Sequence, residues 1–273
     1  MRRNAGDDFP CPLCLYRPFD YRFMLYSECV FDYLRPQVNN HLLHQNMALV
    51  AVKQNKKSIG VFVTDKPLGQ HKIADPYDGS YVFPLYLYEE NMGRVEKRAN
   101  LDKDIVAKLC ASASLRKTPS PEDIFDYIYG VLHSPAYRAK FKEFLKVDFP
   151  RIPYPKNAAE FARFRDAGRE LRATHLMKDA EPALAETRAC FPVAGDNTVD
   201  KVEWDNGRVY INATQYFDNV PTEAWEQQIG GYRPAEKWLK DRKGRVLTPP
   251  DVSHYRRIIL ALAKTRAIMD SLQ

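Results

Sequence analysis

The stretch Ser120-Pro121-Glu122-Asp123-Ile124-Phe125-Asp126-Tyr127-Ile128-Tyr129-Gly130-Val131-Leu132-His133-Ser134-Pro135 decides the fold class. Ser120 offers a capping hydroxyl, and Pro121 takes the first helical position, where its missing N–H costs nothing. Glu122 and Asp123 face the positive end of the helix that follows. Ile124, Tyr127, Ile128, Val131 and Leu132 then recur at helical spacing. Ser134-Pro135 repeats the start signal for a second helix, striped by Tyr137, Phe141, Phe144 and Leu145. Residues 149–155, Phe-Pro-Arg-Ile-Pro-Tyr-Pro, break the helical run, because their prolines remove donors and fix φ. Asn157-Ala158-Ala159-Glu160 reads as a capping box opening a third helix through Phe161, Phe164 and Leu171.

β-rich sequence flanks this helical middle on both sides. Upstream, residues 21–26, 47–52, 58–64 and 81–88 read as strands, with a short helix over residues 37–45. Within 58–64, Ile59, Val61 and Val63 alternate with Gly60 and Phe62, the period of a half-buried strand. Pro84 places the run 81–88 at a sheet edge or bulge. Downstream, Asp205-Asn206-Gly207 between residues 199–204 and 208–212 is the strongest hairpin signal, since Asn-Gly supplies the positive φ of a tight turn. A helix over residues 234–240 follows, and Thr248-Pro249-Pro250-Asp251 starts a last one that runs almost to the end. Its seam of Val252, Tyr255, Ile259, Leu262 and Met269, interrupted by Arg266, suits either this chain's own core or a partner domain. The expected class is α+β, with mostly antiparallel twisted sheets, a helical middle section and C-terminal helices. We divide it into a β-rich part over residues 1–98 and a helical and β-hairpin lobe, ending in a long helix, over 99–273.

Composition narrows the function classes. With 273 residues, 45% hydrophobic and 28% charged, the chain has the balance of an ordinary globular protein rather than a disordered one. The net charge of +6 and a pI near 8.9 favour an acidic partner such as nucleic acid without requiring one. No run approaches the ~18 apolar residues of a membrane span. The opening Met1-Arg2-Arg3 lacks an apolar run behind it, so the expected location is the cytoplasm. The five cysteines form no disulfide framework. Cys11 and Cys14 make one CxxC, and His41 and His44 would complete a zinc set. Two loop thiols and two helical histidines are the plainer account of that spacing.

Catalytic signatures are not found: no phosphate-cradling GxxxxGK[ST], no GxGxxG after a strand, no HExxH and no GxSxG. Asp7-Asp8 sits in the N-terminal tail, and Asp200, Glu203 and Asp205 surround the hairpin, where a solvated turn accounts for them. Basic residues are more informative. Arg233, Lys237, Lys240, Arg242, Lys243 and Arg245 crowd one segment, with Gln227, Gln228, Gly230-Gly231 and Tyr232 just upstream and only Glu236 and Asp241 opposing. Lys and Arg neutralise phosphates, and Arg and Gln read guanine and adenine edges with paired hydrogen bonds. A solvated helix end followed by a turn explains the same residues. Two further basic groups, Arg138, Lys140, Lys142 and Lys146, then Arg163, Arg165, Arg169 and Arg172, line helix faces that are either solvated or phosphate-facing.

Several ordered motifs share a family pattern. They are residues 16–22 (YRPFDYR), 83–88 (FPLYLY), 123–133 (DIFDYIYGVLH), 149–153 (FPRIP), 228–232 (QIGGY) and 237–245 (KWLKDRKGR). In this order they closely resemble the C-terminal specificity region of type ISP restriction–modification enzymes and fused adenine-N6 methyltransferase–specificity proteins, over residues 16–262. The resemblance implies a polypeptide in which a nuclease, an ATP-driven motor and a methyltransferase precede a target-recognition domain. It implies that this chain is that last part, with double-stranded DNA and a methyltransferase domain as partners. The Asp/Asn-Pro-Pro-Tyr/Phe loop of amino-methyltransferases is absent, so no cofactor is expected in this chain. S-adenosylmethionine, ATP and Mg would belong to the complete enzyme. The candidate DNA-binding residues are Gln227, Gln228, Tyr232, Arg233, Lys237, Lys240, Arg242, Lys243 and Arg245. A diverged methyltransferase and a docking domain are the alternatives.

Overall fold

The computed structural model describes residues 11–27, 34–55, 58–70, 72–76, 78–91, 93–178 and 188–273. Asp7-Asp8 and Cys29 lie outside them. The element order is β1 (Leu13–Arg17), β2 (Asp20–Phe23), α1 (Pro36–Asn39), β3 (Ala48–Val52), β4 (Val61–Thr64), β5 (Ser80–Pro84), β6 (Tyr86–Asn91) and β7 (Arg94–Ala99). Helices α2 (Lys103–Ser112), α3 (Pro121–His133), α4 (Pro135–Lys140), α5 (Lys142–Leu145) and α6 (Ala158–His175) follow. The chain closes with β8 (Glu203–Asp205), β9 (Arg208–Tyr210), β10 (Tyr216–Phe217), α7 (Thr222–Glu226), α8 (Pro234–Lys240) and α9 (Pro249–Ser271). The fold is α+β, with small antiparallel sheets as expected.

The organising element is the three-stranded sheet β4-β3-β5, antiparallel throughout, with Val50 opposite both Phe62 and Val82. Strand side chains alternate between faces. Val50, Val52 and Phe62 enter one core, shared with the hairpin β8–β9 and with α8 and α9. Ala51, Val61 and Val63 enter a second core, built with α2, α3 and α6 and closed by Ile268 and Leu272 at the end of α9. Strand β4 is therefore buried on both faces, where its alternation predicted one solvated face. Both cores draw on both sides of position 98, which marks a change in composition along the chain.

The helical middle follows its caps. The Ser120 hydroxyl accepts from Asp123 N, and Ser134 accepts from Tyr137 N. Asn157 accepts from Glu160 N, while the Glu160 carboxylate reaches Lys156 N, one residue short of a full capping box. Gly130 and Gly168 explain the α3–α6 packing. A Cβ on Gly130 would lie 2.1 Å from Phe164 O, and one on Gly168 1.8 Å from Asp126 O, so the two backbones touch. The proline strap 149–155 is pinned by Tyr127 Oη to Pro153 O and by Tyr137 Oη to Arg151 O.

Several expectations are corrected. Residues 81–88 are not one strand: Leu85 turns the chain, and β5 and β6 join different sheets. The helix over 37–45 is only α1 and a 3-10 turn over Asn40–Leu43. The helix from Pro135 breaks at Phe141, whose backbone leaves helical geometry. The strand expected over 21–26 is β2, ending at Phe23. Helix α2, the second half of β6 and strand β7 had no reading in the sequence. Helix α9 starts with a complete capping box at Thr248 and Asp251, and it buries Tyr255, Ile259, Leu262 and Met269 inside this chain. The Asn206-Gly207 turn is as predicted, with φ of 46° and 82°.

Candidate nucleic-acid interface

The fold brings the motif at residues 16–22 against the motif at 237–245. Asp20, almost fully buried, accepts from Arg22 Nη2 at 3.0 Å and from Arg242 Nη2 at 2.9 Å. Arg242 also donates to Trp238 O and lies 3.4 Å above the Trp238 ring centroid. Asp241 ion-pairs with Lys237 at 2.6 Å and with Arg17 at 3.3 Å. Arg17 packs over Tyr232, and Arg22 stacks on Tyr16 at 3.6 Å. His254 Nε2 donates to Phe19 O, and burial beside Arg257 and Arg242 lowers its pKa. The result is a basic and aromatic cluster cross-linked by two aspartates.

Gln228-Ile229-Gly230-Gly231-Tyr232 is the second contact between the ends of the chain. Gly230 has φ +57° and packs so tightly that a Cβ would fall 1.8 Å from Ala74 O. Its N–H donates to Ile59 O. Tyr232 is buried, with its hydroxyl donating to Lys72 O. This glycine pair is a packing joint, required by close backbone approach.

The nine predicted residues thus separate. Tyr232, Arg242 and Lys237 are held by the fold. Lys240 is exposed and paired with Glu236 at 2.6 Å. Gln227 is half-buried and bonds Gln228 O. Gln228, Arg233, Lys243 and Arg245 are exposed, and none has a side-chain ion pair or hydrogen bond to a described residue. Asp20, Arg17 and Arg22, which hold this segment, were not among the predicted residues. The signal was present in residues 16–22, where an aspartate sits between two arginines.

Three of the four arginines of α6 do something different, while Arg163 is exposed and packs over Phe164. Arg172 makes a two-pronged pair with the buried Asp126 at 2.6 and 2.9 Å. Arg169 reaches Asp123 at 2.6 Å, and Arg165 pairs with Asp166 at 2.8 Å. Lys146 pairs with Glu143, and Lys201 with the hairpin carboxylate Glu203. The zinc candidates also have separate tasks. His41 Nδ1 accepts from Tyr88 N, His44 stacks on Tyr88, and the buried Cys14 thiol, its pKa pushed up to about 11 by burial, bonds Pro12 O. No group able to hold a metal occurs among the described residues.

The fold and this segment define an α+β module with an exposed basic edge on a tightly cross-linked support. The family model described as the type ISP C-terminal specificity domain matches residues 2–271, and the chain belongs to that family. The ATP-dependent type ISP restriction–modification enzyme LlaBIII bound to DNA is similar, with a TM-score of 0.78 at 20% identity, covering 100% of this chain and 19% of that one. A DrdV–DNA complex matches with a TM-score of 0.77 at 22% identity, over 96% of this chain and 28% of the other. A nuclease-deletion mutant of the type ISP enzyme LlaGI in complex with a DNA substrate mimic gives 0.70 at 18% identity, over 99% and 21%. This chain spans under a third of each of those polypeptides. No curated protein sequence matches. Among the described residues, no helix is long and apolar enough to cross a membrane.

Proposed function

We propose that the chain recognises a target sequence in double-stranded DNA as the specificity part of a restriction–modification polypeptide, without catalysis of its own. One observation carries this reading: in a specificity-domain family, the segment 227–245 leaves Arg233, Lys243, Arg245 and Gln228 exposed and uncommitted beside a rigid joint. Cations of this kind set register on phosphates, and amides and guanidinium groups read base edges in the major groove. Lys240 adds to the same edge. Methyl transfer, cleavage and ATP hydrolysis, with S-adenosylmethionine, ATP and Mg, then belong to a methyltransferase and further domains of the same or a partner polypeptide. The location in this reading is the cytoplasm.

The test is the variant Arg233→Ala/Lys243→Ala/Arg245→Ala, titrated against a duplex at several salt concentrations. Affinity should fall, and the slope of log K against log salt should drop by about 0.9 for each phosphate no longer neutralised. An unchanged slope and affinity would remove this edge from the interface. Arg242 is left out because its removal disturbs Asp20. Millimolar S-adenosylmethionine should leave the unfolding temperature unmoved, and a clear rise would favour the methyltransferase reading.

A further inference from the structure

A cleft of about 790 Å³ opens between α7 and the last turns of α9. Arg138, half-buried, lines it. Its Nε donates to Leu132 O at 2.7 Å, which fixes the guanidinium, while Nη1 and Nη2 make no hydrogen bond or ion pair with a described residue. Burial without a carboxylate partner lowers its pKa to about 10. A guanidinium held in place through Nε, with its two outer nitrogens open to the cleft, is pre-organised to donate to a bound ligand. Glu223 and Glu226, exposed and without an ion-pair partner among the described residues, line the same cleft, as do Gln227 and Gln228.

The lining selects the ligand. Arg266 is neutralised by Asp270 at 3.1 Å, so two unpaired carboxylates share the cleft with one unpaired cation. That balance repels a phosphate, and the polar walls do not suit an apolar molecule. It fits a neutral surface that offers acceptors to the guanidinium and a donor to a carboxylate. A G·C base pair presents this pattern in the major groove, with guanine O6 and N7 accepting and cytosine N4–H donating. We propose that this cleft reads a G·C pair of the bound DNA, Arg138 donating through both Nη atoms to guanine O6 and N7 and Glu223 or Glu226 accepting from cytosine N4–H. The proposal rests on the reading of the chain as a DNA-recognition unit.

Selection of bound duplexes from a random pool, with the full chain and with Arg138→Gln, tests it. The wild type should enrich a G·C pair at a position where Arg138→Gln shows no preference. The variant should keep its affinity for non-target DNA and its salt dependence. Placing 7-deazaguanine at that position removes the N7 acceptor. It should weaken wild-type binding about five- to one-hundredfold and leave Arg138→Gln unmoved. A variant that keeps the preference overturns the proposal. So does one that binds every duplex more weakly with a shallower salt slope, which marks a phosphate contact. If Arg138→Gln does not fold, Glu223→Gln/Glu226→Gln carries the test through the cytosine, and an unchanged preference overturns the proposal. A wild type that binds no duplex overturns the DNA reading itself, whereas enrichment by the wild type with an identical motif in the variant overturns only the assignment of this cleft.

Discussion

Helix α6 and the segment 232–245 are alike in sequence and opposite in structure. Both are arginine-rich and lie on helical or turn elements. On α6 three of the four guanidinium groups are answered, Arg165 by Asp166 and Arg169 and Arg172 by Asp123 and Asp126 of α3, which ties α3 to α6, and Arg163 is left exposed over Phe164. On the C-terminal segment two aspartates secure Arg242 and Lys237, and Arg233, Lys243 and Arg245 are left outward. A count of basic residues does not separate these cases. The carboxylates brought in from distant parts of the chain do.

The sharpest way to break the comparison is Asp126→Ala. Asp126 is inaccessible to solvent and holds Arg172 through two bonds. Removing it leaves a largely buried guanidinium uncompensated, and the expected loss of stability is about 3–5 kcal/mol. Denaturant unfolding measures it. A loss under about 1 kcal/mol would mean that the α3–α6 charges are as dispensable as surface pairs.

A second effect comes from neutral groups in the same helical core. The Thr265 hydroxyl donates to Ala261 O, so its oxygen accepts from His175 Nε2–H, and His175 Nδ1 accepts from the Tyr129 hydroxyl. This chain joins α3, α6 and α9 and has no place for a second proton on His175. Burial, reinforced by Arg138, lowers the His175 pKa to about 3. The unfolded histidine titrates near 6.5, so unfolding takes up a proton below that pH. Stability is complete above about pH 6.5 and falls as pH drops towards 3, by about 3 kcal/mol at pH 4. His133, its pKa lowered by the same burial and by Arg138, adds to the loss. Unfolding midpoints of the wild type and His175→Gln from pH 7 to 4 should converge as the pH falls, and parallel curves would refute the assignment.

The middle of the fold was legible because its signals are local. Ser120, Ser134, Asn157 and Thr248 cap helices where their sequence places them, and Asn206-Gly207 turns where it must. What failed was set by distant partners. Strand β4 alternates like a half-exposed strand, yet it has a core on each face because β9, α8 and α9 cover Phe62, on the side that alternation assigns to water. Residues 81–88 divide because β6 pairs with β7, whose charged sequence carries little strand signal. In the candidate site the composition of segment 227–245 was readable, but its partition was not. That partition depends on Asp20, more than two hundred residues upstream of Arg242.

Arg242→Ala tests the C-terminal side of the comparison. Its guanidinium is only 15% exposed and bonds Asp20 and Trp238 O, so its loss unpairs one side of a buried carboxylate. We expect a stability loss of about 1.5–3 kcal/mol, typical of hydrogen bonds to charged groups. At temperatures where the variant is folded, the slope of DNA affinity against salt should match the wild type. A fall in that slope with unchanged stability would return Arg242 to the DNA-contacting set.

The smallest effect sharpens the comparison most. Arg169 is 51% exposed, and its partner Asp123 keeps Arg165 nearby. An exposed pair with a substitute cation is worth about 1 kcal/mol or less. Arg169→Ala should therefore change the unfolding free energy by no more than that and leave DNA affinity and its salt slope unaltered. Arg245→Ala, a substitution of the same kind at a residue of the other region, should leave stability alike and lower the salt slope by about 0.9. If both single variants shift the slope equally, the carboxylates of α3 do not withdraw α6 from the nucleic acid, and the interface extends across both regions.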